Sequence, residues 1–297
     1  MYNGIINIYK QRGFTSNDVV QVVKKLTKSK AGHTGTLDPQ ATGVLPICLG
    51  KATKIADYIM GADKQYIAKV VLGSSTDTQD AHGVATLQSS KRVAQGDIEA
   101  VLTHFFGEIL QLPPMYSAIK VDGKRLYEQA RAGIDVERKP RQIFIHNLEV
   151  LRWNLDDFPQ SFVLRVDCSK GTYIRTLCND LGEQLGCFAH MGDLLRTKSG
   201  NFGINNAITL DKLRKIMDNG NLDRYLLPME DALSHLPMVN MTEEAQKYIE
   251  NGNKLEKKWS INNFNDGTYL IIDYKGDLVG IYRCEDDILK PITMLRI

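Results

Sequence analysis

Three glycines and one proline fall within the short stretch Gly32-His33-Thr34-Gly35-Thr36-Leu37-Asp38-Pro39-Gln40-Ala41-Thr42-Gly43. That composition is incompatible with a regular helix or a strand interior, because glycine frees the backbone and proline removes a donor. A helical pattern precedes the stretch and an apolar, strand-like run follows it. A loop built this way fixes its few side chains by backbone shape. Asp38 is its only acid, and Pro39 restricts Asp38 to extended or turn geometry. Two readings are open from the local residues. The stretch is a connecting loop whose Asp makes a turn hydrogen bond, or it presents Asp38 for chemistry.

Composition narrows the class. The 297 residues suffice for one large domain or two ordinary ones. A 43% apolar and 24% charged make-up is that of a soluble globular protein. No apolar run is long enough to span a bilayer, and residues 1–10 carry no secretory pattern. Cys48, Cys168, Cys178, Cys187 and Cys284 are widely spaced without a Cys-x-x-Cys pair, so free thiols in a reducing cytoplasm are expected. The scattered histidines match no zinc-ligand spacing, and no metal is expected.

Charge is unevenly placed. Residues 1–60 hold eight Lys/Arg against three Asp/Glu, residues 113–142 seven against four, and residues 241–297 eight against ten. The basic excess suits a polyanionic partner, or is a solvated charged face.

In chain order, Gly4 to Tyr9 reads as a strand. Thr15 and Asp18 have capping-box spacing at the start of a helix. Val19, Val20, Val22, Val23 and Leu26 carry its apolar face to about Thr27, and Lys24, Lys25, Lys28 and Lys30 add positive charge. Val44 to Leu49 reads as a strand and Ala52 to Met60 as a short helix. Gln65 to Gly73 is a strand with Tyr66, Ala68, Val70 and Leu72 on one face. Ser74 to Asp80 reads as a polar loop, and Ile98 to Phe106 as a helix. Residues 112–142 mix prolines, tyrosines and basic residues as a protruding insertion, with a short helix from Leu126 to Ala132. Ile143 to Trp153 and Ser161 to Cys168 are expected strands. A helix with Leu177, Leu181 and Leu185 on one face ends at Gly186. Leu194 to Gly200 reads as a strand, and Leu210 to Met217 and Glu243 to Glu250 as helices. Strands at Thr268 to Asp273, Leu278 to Arg283 and Pro291 to Arg296 indicate a small β-rich C-terminal domain.

Gly32 to Gly43 closely resembles the catalytic motif of the bacterial tRNA pseudouridine-55 synthase family, the TruB type. Further motifs follow in the family's order across residues 4–235. They are Lys64-Gln65-Tyr66, Thr76-Asp77-Thr78 with Asp80, and Pro113-Pro114 with Tyr116-Ser117-Ala118 and Lys120. Gly123-Lys124-Arg125-Leu126-Tyr127, Gly171-Thr172-Tyr173-Ile174-Arg175, Gly186-Cys187 with Ala189-His190, and Leu194 with Arg196-Thr197 complete the set.

The resemblance implies conversion of uridine-55 in the tRNA T-loop to pseudouridine by a cytoplasmic enzyme. The N1–C1′ bond breaks, the uracil turns over, and C5 bonds to C1′. No redox change occurs and no cofactor is needed. Asp38 is implied as the carboxylate that acts on the nucleoside, as nucleophile or as base at the sugar. Burial alone would raise its pKa, and Arg175 is implied as the cation that opposes this. Tyr66 is implied as a catalytic residue that stacks on the flipped base or also removes its C5 proton, Leu194 to pack under the base, and His33 to fill space left by extruded bases. The same resemblance puts Lys64 and Tyr173 among the substrate-binding residues. Extruding a base costs about a few kcal/mol. Backbone contacts from Lys120, Lys124, Arg125 and Arg131 of a thumb insertion at about 112–142, and from Lys24 to Lys30, would offset it.

The residue pattern by itself argues an α+β fold. The resemblance adds a mixed, largely antiparallel central sheet flanked by helices, as in the pseudouridine synthase fold. It implies a catalytic domain over 1–237 and a PUA-like domain over 238–297. The expected partner is the tRNA T-stem-loop, with no membrane and a monomeric state. Two alternatives remain: an idle RNA-binding or tRNA-folding protein, and a nucleoside hydrolase pairing Asp38 with Asp77 or Asp80.

Overall fold

The computed structural model describes residues 2–121, 123–265, 267 and 269–295, with backbone only at 120 and 269–271. The N-terminal half contains β1 (Gly4–Lys10), α1 (Ser16–Thr27), β2 (Ala31–His33), β3 (Thr42–Leu49), α2 (Ala56–Met60), β4 (Lys64–Leu72), β5 (Ser74–Thr76), β6 (Ala85–Gln88), α3 (Gln95–Leu102) and β7 (Gly107–Gln111). There follow β8 (Lys120–Val121), β9 (Lys124–Arg125), α4 (Leu126–Arg131), β10 (Arg141–Asn154), β11 (Ser161–Cys168), α5 (Ile174–Gln184), β12 (Ala189–Ser199), β13 (Phe202–Gly203), α6 (Leu210–Asp218) and α7 (Met229–Ala232). The chain closes with β14 (Met238–Asn240), α8 (Gln246–Glu250), β15 (Leu255–Glu256), β16 (Tyr269–Tyr274), β17 (Asp277–Glu285) and β18 (Ile288–Met294).

The fold is α+β. A nine-stranded sheet runs β1-β3-β12-β4-β11-β10-β7, with β2 beside β3 and β13 beside β12. Every pairing in it is antiparallel except β3 with β12. β4 shows why the strands form. Its alternate residues Tyr66, Ala68, Val70 and Leu72 are buried, and the period of two puts them on one face. Apolar faces of α1 (Val19, Val20, Val23), α5 (Leu177, Leu181) and α6 (Leu213, Ile216) join that core. α1 begins as its sequence requires, with Thr15 and Asp18 completing a reciprocal capping box.

β1 and β3 are buried on both faces. Ile6, Ile8, Leu45 and Ile47 join the main core, while Ile5, Val44 and Cys48 pack on the reverse side with Ile55 and Ile59. Leu278, Ile281 and Leu295 of the C-terminal β-rich region complete that second cluster. Extended segments cover the outer edge of β1, through Ile5 paired with Leu227 and Tyr9 N–H donating to Ile208 O. The unpaired donors of an edge strand are thereby satisfied. The C-terminal region is a five-stranded sheet, β14-β16-β17-β18-β15, with its own core around Ile272, Val279, Tyr282 and Leu289.

Several expectations shift. The glycine-rich stretch is a loop only from Thr34 to Ala41; Gly32 and His33 lie in β2, and Thr42 and Gly43 in β3. Part of the polar 74–80 segment pairs as β5 with β6. Residues 50–55 form a 3-10 turn before α2, and residues 243–245 one before α8. β12 starts at Ala189, five residues before the expected Leu194, because an irregularity between Met191 and Leu194 breaks the alternation. The expected strand ends at Thr268 and Arg296 lie outside the described residues.

Gly43 marks the tightest junction of the sheet. Its φ is +111°, and an added Cβ would lie 2.1 Å from the Arg196 carbonyl oxygen. A side chain there meets both steric exclusion and backbone strain. Gly43→Ala is expected to destabilise the protein by about 3 kcal/mol or more, read as a lowered melting midpoint in denaturant.

Candidate active site

Arg175 reaches Asp38 across 137 residues of chain. Asp38 sits in the loop between β2 and β3, and Arg175 in the first turn of α5. Arg175 Nε lies 3.0 Å from Asp38 Oδ2, and its Nη2 lies 3.5 Å from Oδ1. The Arg175 side chain is 7% exposed and that of Asp38 is 38% exposed, so one partner is buried and the other accessible. Arg175 also donates to the backbone oxygens of Thr78 at 3.2 Å and Tyr116 at 2.8 Å. Asp80 Oδ2 stands 3.9 Å away. One guanidinium therefore ties the Asp38 loop, the β5–β6 hairpin and the base of the 112–142 insertion together. Arginine suits the position because it stays charged when desolvated and presents several donors in a rigid fork.

Burial pushes the Asp38 carboxyl above the usual carboxylate range. Arg175 opposes the rise, Asp80 adds to it, and Lys10 counters it. The arginine limits the desolvation effect without cancelling it.

The loop is held from beneath by two buried cations. Lys10, at the end of β1, is fully buried. Its ammonium donates to Phe14 O at 2.7 Å, Pro39 O at 3.0 Å and Gln11 O at 3.2 Å. Burial lowers Lys10 to about 8, with Asp38 pulling the other way. Arg196 of β12 is 1% exposed and donates to Val44 O at 2.7 Å, Gly35 O at 3.1 Å and Thr36 O at 3.4 Å. Ser16, at the start of α1, serves both backbone groups of Leu37, accepting from its N–H at 2.8 Å and donating to its carbonyl at 3.1 Å. The residues around Asp38 are thus fixed by side chains from three different elements.

Tyr66 and Leu194 lie on neighbouring strands, β4 and β12, and both are 9% exposed. Burial raises the Tyr66 phenol, Arg196 opposes that, and Asp38 contributes to it, so these groups share one electrostatic neighbourhood. His33 ends β2, and the Gly35 N–H donates to its Nδ1 at 3.3 Å. Burial first, then Arg196, hold the imidazole below its usual value, which keeps it neutral at pH 7. Tyr173 precedes α5, where its backbone N–H and C=O pair with the Gln111 amide at 2.8 and 3.0 Å. Burial raises its phenol, and Asp38 and Arg175 both act on it.

Lys64, expected among the substrate-binding residues, opens β4 beside the end of α2. Its ammonium is buried and donates to Met60 O at 2.6 Å and to Ala62 O, so it closes the end of α2. Burial lowers it to about 8. In the insertion, Lys124, Arg125 and Arg131 are exposed, and both arginines lie over the Tyr127 ring at 5.8 and 5.6 Å. The Lys120 backbone is in β8; its side chain lies outside the described residues. Among the described residues no cluster of His, Cys, Asp and Glu is placed to hold a metal, and no helix is long and apolar enough to cross a membrane.

Comparison with known proteins decides the family. The family model described as TruB family pseudouridylate synthase (N terminal domain) matches residues 23–174, and that described as tRNA pseudouridylate synthase B C-terminal domain matches 175–234. The chain belongs to the TruB family of pseudouridylate synthases. A TruB-family protein is an isomerase. The tRNA pseudouridine synthase B of Clostridium tetani (strain Massachusetts / E88) is 43% identical over 295 residues, 99% of each chain. That of Geobacillus thermodenitrificans (strain NG80-2) is 42% identical over 302 residues, covering 99% of this chain and 100% of the other. Among solved structures, a chain of a Cbf5-Nop10-Gar1 complex superposes with TM-score 0.77 at 28% identity, covering 99% of this chain and 85% of that one. A chain of an H/ACA RNP bound to a substrate RNA containing 2′-deoxyuridine gives TM-score 0.75 at 26% identity, with 99% and 85% coverage.

The pattern of motifs thus led to the TruB family, yet residue reading assigned no role to Lys10 or to Arg196. Signals for both exist. Lys10 closes an isoleucine-rich strand, and Arg196 stands two residues from buried Leu194 on the same strand face. A charge at a core-facing position signals a buried network.

Lys10 gives a stability test. Its folded pKa lies below its unfolded value, so between pH about 8 and 10.5 the unfolded chain binds more protons at this site. Wild type should therefore gain stability relative to Lys10→Met as pH rises through that window, by up to ~3 kcal/mol. Denaturant unfolding of both proteins at pH 7 and pH 10 reads it.

Proposed function

We propose that this TruB-family protein converts uridine-55 in the T-loop of tRNA to pseudouridine in the cytoplasm, acting as a single chain, with Asp38 acting on the nucleoside. The observation that carries the reading is the Arg175–Asp38 pair, 3.0 Å apart, with the carboxylate accessible and the guanidinium buried. The tRNA substrate is supported by the relatives named tRNA pseudouridine synthase B that align along the full chain. The isomerisation breaks N1–C1′, turns the uracil and joins C5 to C1′; C5 gives up its proton and N1 takes one up, so the composition is unchanged.

In this reading the uridine leaves its stack and enters the space between Asp38, Tyr66 and Leu194. Tyr66 lies against the base, Leu194 closes the apolar side against water, and the ionised Asp38 carboxylate meets the sugar. Neutral His33 fills space by shape, and Tyr173 lines the approach. Exposed Lys124, Arg125 and Arg131, together with Lys120, meet the RNA backbone from the 112–142 insertion. The catalytic domain is assigned to 1–237 and a PUA-like domain to 238–297, each with its own sheet.

Asp38→Asn keeps shape and removes the charge. It should leave tRNA affinity within ~3-fold and cut pseudouridine formation by at least ~10³-fold. Pseudouridine mapping of treated tRNA by mass-silent chemical labelling measures this, and retained turnover would sink the assignment. Free uracil among the products would instead favour a hydrolase.

The pH profile has a defined sign. Asp38 must be ionised, burial raises its pKa, and Arg175 holds the rise down. Arg175→Gln should move the acid limb of the single-turnover rate to higher pH as well as lowering its plateau. An unmoved limb would separate Arg175 from the ionisation of Asp38.

A further inference from the structure

Among the described residues Arg196 is the largest fully buried side chain, and none of their ion pairs involves it. A guanidinium buried without a carboxylate is costly, because neutral acceptors only partly replace its hydration. Its acceptors are the carbonyls of Gly35, Thr36 and Val44, and Tyr66 is its direct partner on the neighbouring strand and its electrostatic neighbour. Those carbonyls bracket Asp38 along the chain. Gly35 and Thr36 lie just before Leu37-Asp38, and Val44 begins the apolar run of β3 just after it.

The strand register makes this arrangement unavoidable. Arg196 stands opposite Tyr66 in the antiparallel β12–β4 pair and opposite Gly43 in the parallel β12–β3 pair. Gly43 lets the Arg196 backbone approach so closely that a Cβ there has no room. The side chain therefore leaves the one point of the sheet where the Asp38 loop and the Tyr66 strand meet. An apolar residue of similar size fills the same volume but binds neither part.

We propose that Arg196 is a positioning residue that couples the Asp38 loop to Tyr66, so that the carboxylate and the base-stacking ring keep one fixed relative geometry. The proposal rests on the function given above, in which both residues face the same nucleoside. It adds a separate statement: the two act as one unit, and Arg196 is the link. A small displacement of either group from the reacting atoms costs rate without costing affinity, since most RNA contact lies elsewhere. Arg196 thereby affects the chemical step while touching no substrate.

The test has an arm that needs no substrate. Hydrogen exchange of the free protein should show faster exchange at Gly35 and Leu37 in Arg196→Met, with the C-terminal sheet at 238–295 unchanged. Unchanged exchange in the loop would overturn the proposal whatever the enzyme's substrate. The second arm measures single-turnover pseudouridine formation and tRNA affinity for Arg196→Met, Tyr66→Phe and the double variant. Arg196→Met should slow the step by roughly 100-fold and leave the dissociation constant within ~3-fold. The double variant should fall no more than ~3-fold below the slower single variant, because coupled residues are non-additive. Fully multiplicative losses, or an affinity loss as large as the rate loss, would overturn it. If Arg196→Met does not fold, Arg196→Lys takes its place. Lysine keeps the charge but loses the planar fork, so loop exchange should still rise and the rate still fall; wild-type values for both would overturn the proposal. Failure of wild type to modify tRNA would count against the function alone, leaving the exchange result to judge the link.

Discussion

The Arg175–Asp38 ion pair is the constraint on which the candidate site depends. An accessible carboxylate beside a buried guanidinium is a high-energy arrangement unless the cation is otherwise satisfied. Arg175 meets that condition by donating also to the carbonyls of Thr78 and Tyr116. Those carbonyls belong to the β5–β6 hairpin and to the insertion between β7 and β10. Satisfying one arginine thereby fixes three chain segments around Asp38. The raised carboxyl pKa is what remains after Arg175 has worked against burial, with Asp80 on the other side of the balance.

A second layer of charge holds the loop itself. Lys10 and Arg196 are both buried, and both spend their donors on backbone oxygens rather than on carboxylates. Loop carbonyls turned inward away from water need such donors. The loop is therefore shaped by cations placed at the ends of β1 and β12, and by the Ser16 hydroxyl at the start of α1. Its glycines permit the path, and these side chains select it. Gly43 shows the division of labour, because its missing Cβ is the room that the Arg196 backbone occupies.

Much of this was legible in the chain before its folding was known. The Thr15–Asp18 capping box, the alternation of β4 and the leucine face of α5 are local signals. Each follows from neighbouring residues and one period. Asp38, Tyr66, Arg175 and Leu194 are candidates through a run of motifs in family order. Physics confined to single motifs left Asp38 between a turn residue and a reactive one. Lys64 shows what a motif leaves open: its ammonium is buried and donates to backbone oxygens at the end of α2, a contact that no local pattern announces. The early start of β12 was hidden by an irregularity that breaks the alternation, and Lys10 and Arg196 were hidden because a charged residue ordinarily reads as surface.

By itself the sequence determined most of the longer elements, the α+β character and the glycine-rich stretch with a single acid. These depend on spacing, capping and backbone freedom, which neighbouring residues supply. Only the tertiary structure decided that residue 175 meets residue 38, that β12 runs parallel to β3, and that two buried cations frame the loop. The Arg175 and Arg196 contacts join residues more than a hundred positions apart, and Lys10 reaches Pro39 across 29. Desolvation and hydrogen-bond satisfaction are properties of the space they close, and no local pattern encodes that space.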